Sequence, residues 1–409
     1  MADRESRLRQ CLAIPIYNDT SARYSYRSHP AEVIAEVPET YARKWPARYE
    51  LLDGLRGIAC IGVLLHHLAI VAIGHYSVMV FFLISGYCIT ASAQSCLRRG
   101  MSFRNYLLRR VRRIYPPYFL ALAFFTGTRF AKACFSGEPA WHPTAIAWLQ
   151  NLTLTQWVSD LFRHVEWPAD NKTLFVSAFW SLDYEEQFYL VIGICLLLAA
   201  NRGIQVLSSV LVLAFLGLAW NLTFPGGWVT GIFIEYWPHF ALGSMLYFVL
   251  CEQSRPGPRF AFLAATGALG IFCLMHVWPW IDATDAETVR RAYIELLLLS
   301  VTSLALLALR PLSDAIARST LWRPVAAVGT ISYSLYLIHQ FNLTLIHAAA
   351  TFLLPRYAST AALGATQVAM HLCLATAFWY LCERPFLNRP VTDRMRAVRG
   401  LSVSGDFAE

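Results

Sequence analysis

The sequence predicts an all-α polytopic membrane protein, with about ten transmembrane helices in a single bundle and both termini in the cytoplasm. Three observations carry this. The 409 residues are 56% hydrophobic and only 15% charged, and a mean hydropathy of +0.44 is too high for a soluble chain of this length. Ten stretches approach the roughly 20 residues that a helix needs to cross the hydrocarbon core. The basic residues concentrate in alternate connecting segments, as the positive-inside rule requires.

Residues 1–50 are polar and charged, with CLAIPIY as a short apolar patch, and read as a retained cytoplasmic tail rather than a signal peptide. The transmembrane domain follows over 51–388, and 389–409 form a second cytoplasmic tail. Its spans lie near 57–74, 76–93, 114–130, 174–199, 204–222, 229–250, 261–280, 292–309, 330–353 and 360–382. With the N-terminus inside, the inner segments hold 26 of the 34 Lys and Arg and the outer segments 7, while Arg56 lies close to the first span. A miscounted span would scramble that asymmetry. The longest outer segment, 131–173, contains an amphipathic stretch at 142–158. It reads as an interfacial or re-entrant helix, or as an eleventh span that would spoil the charge rule. Asn151 and Asn171 begin outer N-x-T sequons, and Asn342 begins one inside the ninth span.

Ionisable groups at membrane depth are costly and usually face a bundle interior or a wet cavity. Four constellations fit that description. Arg56 and His67, in LLDGLRGIACIGVLLHHL, fall within about 20° of three full helical turns, so they share a face about 16 Å apart. Arg56 sits at the mouth and His67 near mid-depth; a leaflet anchor and a core histidine are the plain alternative. His66, about 100° around the helix, reads as structural.

The second is the run Arg98, Arg99, Arg104, Arg109, Arg110, Arg112 and Arg113, ending in IYPPYF. Arg109 and Arg113, four apart, form a fork suited to phosphate oxygens, unless the run is positive-inside anchoring alone. Pro116 and Pro117 tolerate or force a break there. The third, FWSLDYEEQFY, puts Asp183, Glu185 and Glu186 about 14–18 Å into a span that starts near 174. At least one should meet a buried cation such as His67 or an arginine, or stay protonated; a later start would leave solvated loop carboxylates. The fourth comprises His339 in SYSLYLIHQ and Ser85 in FFLISGYCIT, which line a substrate pocket with Trp180 or serve only in packing.

Other chemistries find no support. The Lys and Arg fall in short clusters between apolar runs, which argues against nucleic acid as a partner. Ten Cys are scattered without CxxC or metal-ligand spacing, so neither a disulfide nor a metal is expected. No GxSxG elbow, His-x4-Asp pair, Walker loop or HExxH motif is present.

Taken together, LDGLRGIA…LLHH, VFFLISGYCIT, RRVRRIYPPYFL, FWSLDYEEQFYL, ISYSLYLIHQ and CERPF closely resemble the membrane acyltransferase-3 family. That family acylates hydroxyls of polysaccharides, lipopolysaccharides and some small molecules. The resemblance spans Leu51 to Phe386 and implies a ten-helix bundle that uses cytoplasmic acyl-CoA to modify acceptors on the far side. Its Arg-x10-His pattern falls on Arg56 and His67, with His66 a second candidate. Its Arg-x3-Arg pattern falls on Arg109 and Arg113, beside Arg110, and its acidic motif on Glu185 and Glu186.

The expected reaction is therefore acyl transfer, with acetyl-CoA as donor and a hydroxyl-bearing glycan or small molecule as acceptor, in the inner or plasma membrane. Arg56, Arg109, Arg110 and Arg113 would bind the donor, and His67 would act as general base, oriented by Glu186 or Glu185. A transporter or flippase using the same groups as a relay is the alternative from another class. A histidine-dependent O-acyltransferase acting on lipids or proteins is a third.

Overall fold

The computed structural model describes residues 49–98, 103–136, 142–161, 174–202, 206–223, 231–251, 256–277, 287–355 and 357–387. Nearly all of both expected tails, together with Arg99 and Asn171, lies outside these. The described residues are helical, with no strand among them.

The first expected span becomes α1 (Leu51–His67), shifted toward the N-terminus: it begins six residues early and stops at His67, after which Ala69 adopts φ +56°. Arg56 therefore lies in the second turn of α1, and His67 is its last residue. The chain returns through α2 (Gly74–Arg98) and α3 (Phe103–Ser136). Helix α3 passes straight through Pro116 and Pro117, so the expected break does not form. Prolines lack the N–H that would reach back four residues, which frees the carbonyls of Arg112 and Arg113.

The amphipathic stretch forms α4 (Ala145–Thr153) and α5 (Trp157–Leu161), and Thr144 caps α4 by accepting from the Ala147 N–H at 3.1 Å. The sequon at Asn151 is fully buried: its amide donates to the Ala147 carbonyl and its Oδ1 accepts from Gln156 and the Phe175 N–H. A 3-10 turn over Ser177–Phe179 leads into α6 (Trp180–Arg202). Because this helix starts at Trp180, the three carboxyls sit only about 5–9 Å along it, shallower than the 14–18 Å expected.

Next come α7 (Val206–Thr223), α8 (Trp237–Cys251), α9 (Pro256–Val277), α10 (Glu287–Ala308), α11 (Ser313–Arg318) and α12 (Trp322–Thr330). The expected ninth span is broken into α13 (Ser332–Ile338) and α14 (Leu343–Leu353). Two side chains compete with the helical ladder there: His339 Nδ1 lies 2.8 Å from the Tyr336 carbonyl, and the Asn342 amide donates to Ile338 O at 2.9 Å. Helix α15 (Thr360–Phe378) ends in a π-helical turn over Trp379–Glu383.

Among the described residues, Gly74–Cys96 and Thr360–Phe386 are long and apolar enough to cross a membrane, and a third candidate is the pair Tyr293–Ala308 and Arg310–Arg318, bent by 52°. Close backbone approach sets the packing of the core. A Cβ on Gly86 would strike the Phe240 carbonyl, one on Gly243 the Leu83 carbonyl, and one on Gly329 the Asp53 carbonyl. Small residues thus hold α2 against α8 and α1 against α12, as in membrane helix pairs generally. Large apolar side chains such as Phe215, Ile271 and Phe352 point outward.

Candidate functional site

Four helices contribute charged groups to one cavity of about 100 Å³. Arg56 enters from α1 and Arg113, exposed at its edge, from α3. Glu185 comes from α6 and Glu383 from the π turn after α15. Ser85, Tyr189, Ser332 and Tyr336 complete the polar wall. The Arg56 guanidinium lies 3.9 Å from Asp53 one turn back and 3.6 Å from the Cys88 sulfur. Glu185 accepts from the Tyr189 hydroxyl at 2.7 Å and the Ser85 hydroxyl at 3.3 Å. Glu383, only 4% exposed, accepts from Ser334 at 2.5 Å.

Glu383 and Tyr336 were not among the sequence candidates. The signal for Glu383 was present: a carboxyl in CERPF closing the last apolar run. The π turn that turns it inward is a feature common at functional sites, but it is invisible to periodicity.

The basic run divides differently from the expected fork. Arg109 is exposed and lines neither this cavity nor the adjoining one. Arg110 is buried, with its guanidinium 5.1 Å from the Tyr189 ring centroid and 5.8 Å from that of Tyr106. It shares a second cavity of about 110 Å³ with Tyr115, Glu185 and Glu186. The interior face of α3 runs through Tyr106, Arg110 and Ile114, so Arg110 is buried while Arg113, three residues on, reaches the first cavity at its exposed edge.

His67 opens into a separate cavity of about 1180 Å³, shared with Leu68, Ile70, His347, Gln367 and Leu372. Its Nδ1 lies 3.0 Å from the Val63 carbonyl. That contact assigns the proton to Nδ1 and leaves Nε2 as the lone-pair nitrogen of the neutral ring. The ring of the fully buried His339 stands edge-on to it, centroids 4.8 Å apart at 70°. His66 is exposed on the helix surface.

The structure does not bring His67 to either glutamate. Glu185 is held as described above, and Glu186 accepts from the Tyr115 hydroxyl. What stands between His67 and the arginine-lined cavity is Tyr336 and His339. The Tyr336 ring lines the cavity and packs 5.8 Å from the His339 ring, while its hydroxyl pairs with Ser181 at 2.6 Å and with the Ala178 carbonyl. Of the three expected pocket residues, Ser85 lines the arginine cavity and His339 backs His67. Trp180 joins neither cavity and stacks on His75 instead.

A family model described as an acyltransferase domain, Acyl_transf_3, matches residues 49–384. The chain is 27% identical over 323 residues to the "Putative peptidoglycan O-acetyltransferase YrhL" of Bacillus subtilis (strain 168), across 70% of this chain and 47% of that protein. It is 25% identical over 332 residues to the "Peptidoglycan O-acetyltransferase OatA" of Listeria monocytogenes, across 75% of this chain and 50% of that protein. A 149-residue segment is 33% identical to an "Uncharacterized protein" of Haemophilus influenzae, across 34% of this chain and 58% of that protein. The chain spans about half the length of the two acetyltransferase relatives. No solved structure matches it. With the family model covering residues 49–384, the chain belongs to the acyltransferase-3 family.

Proposed function

We propose that the protein is a multi-pass membrane O-acyltransferase that moves an acetyl group from cytoplasmic acetyl-CoA to a hydroxyl of a carbohydrate-type acceptor. The convergence of Arg56 and Arg113 from different helices on one cavity carries this reading. Two guanidinium groups on one cavity of an apolar bundle support an anion-binding role, with Glu185 and Glu383 on the same walls as their counter-charges. The names of the peptidoglycan O-acetyltransferase relatives favour an acetyl group and a glycan hydroxyl. The ten-span arrangement with both termini in the cytoplasm belongs to the same proposal and is supported by the distribution of Lys and Arg.

A cavity of about 100 Å³ is too small for a nucleotide, so the donor's phosphates stay outside, at the exposed edge formed by Arg113. The narrow arm passes Arg56, and the thioester reaches His67 once Tyr336, which lines the cavity, gives way. His67 Nε2 takes the proton of the acceptor hydroxyl as its oxygen bonds to the thioester carbon. The carbon–sulfur bond then breaks, and the departing CoA thiolate recovers the proton from His67. The Val63 carbonyl steadies the protonated ring through Nδ1 in place of a carboxylate.

The test is acetyl-CoA consumption and glycan O-acetylation by the purified protein in proteoliposomes, with His67→Ala and Arg113→Ala alongside. The reading expects transfer by the wild type, its loss in His67→Ala, and a marked fall at limiting acetyl-CoA in Arg113→Ala. Transfer at the wild-type rate by His67→Ala removes the histidine from the chemistry. Movement of acceptor without consumption of acetyl-CoA turns the reading into transport.

A further inference from the structure

A different histidine in the molecule has a carboxylate behind it. His75, in the first turn of α2, places Nδ1 2.7 Å from a carboxylate oxygen of Glu295 on α10. The two side chains differ in exposure, 41% for His75 and 8% for Glu295. Burial of the carboxylate fixes one end of the ring while the other faces outward. Trp180 stacks on the imidazole with centroids 5.9 Å apart and planes 9° apart, and Tyr236 lies 6.4 Å from the same ring and 5.6 Å from Trp180. All three rings are partly exposed. Behind them Tyr184 donates to Glu235 at 2.7 Å, and the buried His239, 5.6 Å from Tyr236, leaves its Nδ1 without a partner.

We propose that His75, Glu295, Trp180 and Tyr236 form a saccharide subsite that holds the acceptor, an inference that rests on the acyl-transfer reading. A pyranose presents C–H groups on one face and hydroxyls around its edge. Aromatic rings meet the first, and a fixed hydrogen-bonding nitrogen meets the second. Glu295 engages His75 Nδ1 and so holds the ring in place, leaving Nε2 to bond a sugar hydroxyl, which both donates and accepts. The carboxylates of Glu295 and Glu235 favour a neutral polyol over an anion.

A short relay of contacting residues links the subsite to the reaction centre. Trp180 precedes Ser181, whose hydroxyl pairs with Tyr336, and Tyr336 packs on His339, which abuts His67. His67 closes α1 and His75 opens α2, so both histidines flank the turn at Ala69. His75 itself does not line the arginine cavity, whereas Phe82 does and also packs on Trp180 and Tyr236, so substitution of His75 is the change that separates acceptor contacts from donor contacts.

The experiment uses the full-length protein in nanodiscs with chitotetraose as the probe saccharide. Binding is followed by saturation-transfer NMR without donor, and acetylation by acceptor and acetyl-CoA titrations. The expected result is binding by the wild type, its loss in His75→Ala and Trp180→Ala, and an acceptor KM raised at least ten-fold while the KM for acetyl-CoA stays within two-fold. His75→Gln, similar in length, replaces His75→Ala if that variant does not fold. Equal binding by wild type and variants, or no binding by the wild type, overturns the subsite. Saccharide binding that depends on His75, in a protein that consumes no acetyl-CoA, overturns the acyl-transfer reading and leaves the subsite standing.

Discussion

The imidazole of His339 stands edge-on to that of His67, 4.8 Å between centroids, where α13 gives way to the break before α14. The contact restrains the His67 ring from the side opposite its own helix. Replacement of His339 by Ala is expected to lower kcat by about 10²-fold through misplacement of the base, with the acetyl-CoA KM little changed. Removal of the base itself in His67→Ala is expected to cost about 10²–10⁴-fold. Steady-state kinetics of both variants separate the two effects.

Arg113 and Arg109 differ in what they face, and their substitutions should differ accordingly. A charge-assisted hydrogen bond contributes about 1.5–3 kcal/mol, so Arg113→Ala is expected to raise the acetyl-CoA KM by roughly 10–100-fold. Arg109→Ala, at an exposed position outside both cavities, is expected to change it less than about three-fold, in line with an exposed charge. Equal effects would restore the fork of residues four apart.

Glu383 accepts from Ser334, itself fully buried. Glu383→Ala strands that hydroxyl and removes a counter-charge from Arg56 and Arg113, and is expected to destabilise the protein by about 1–3 kcal/mol. Glu383→Gln keeps an acceptor for Ser334 and is expected to cost less. Thermal unfolding in detergent, monitored by intrinsic fluorescence, reads the difference.

Gly243 meets the Leu83 carbonyl with no space for a side chain. Gly243→Val forces α2 and α8 apart and is expected to cost about 1–3 kcal/mol or more by overpacking. Gly267 has open space around its Cα, so Gly267→Ala serves as the control and is expected to be neutral or slightly stabilising.

Much of this arrangement is legible in the sequence where a single helix carries the information. The spacing of Arg56 and His67 needs only the helical period, and the dense carboxyls of Asp183, Glu185 and Glu186 announce a buried polar region. What escapes is decided between helices. The inward turn of Arg110 rather than Arg109 depends on which face of α3 meets Tyr189. The pairing of His75 with Glu295 joins residues 220 positions apart. Apolar content marks 330–353 as one span, yet the side chains of His339 and Asn342 take carbonyls from its ladder and break it in two.

Tyr336 touches both halves of the proposed chemistry: its ring borders the arginine cavity and packs on the histidine behind His67, while its hydroxyl ties to the Ser181 and Ala178 strap. On the proposed reading, a group shared in this way can couple the two ligands. Whatever factor a donor's displacement of Tyr336 applies to acceptor affinity, the acceptor applies to donor affinity in turn.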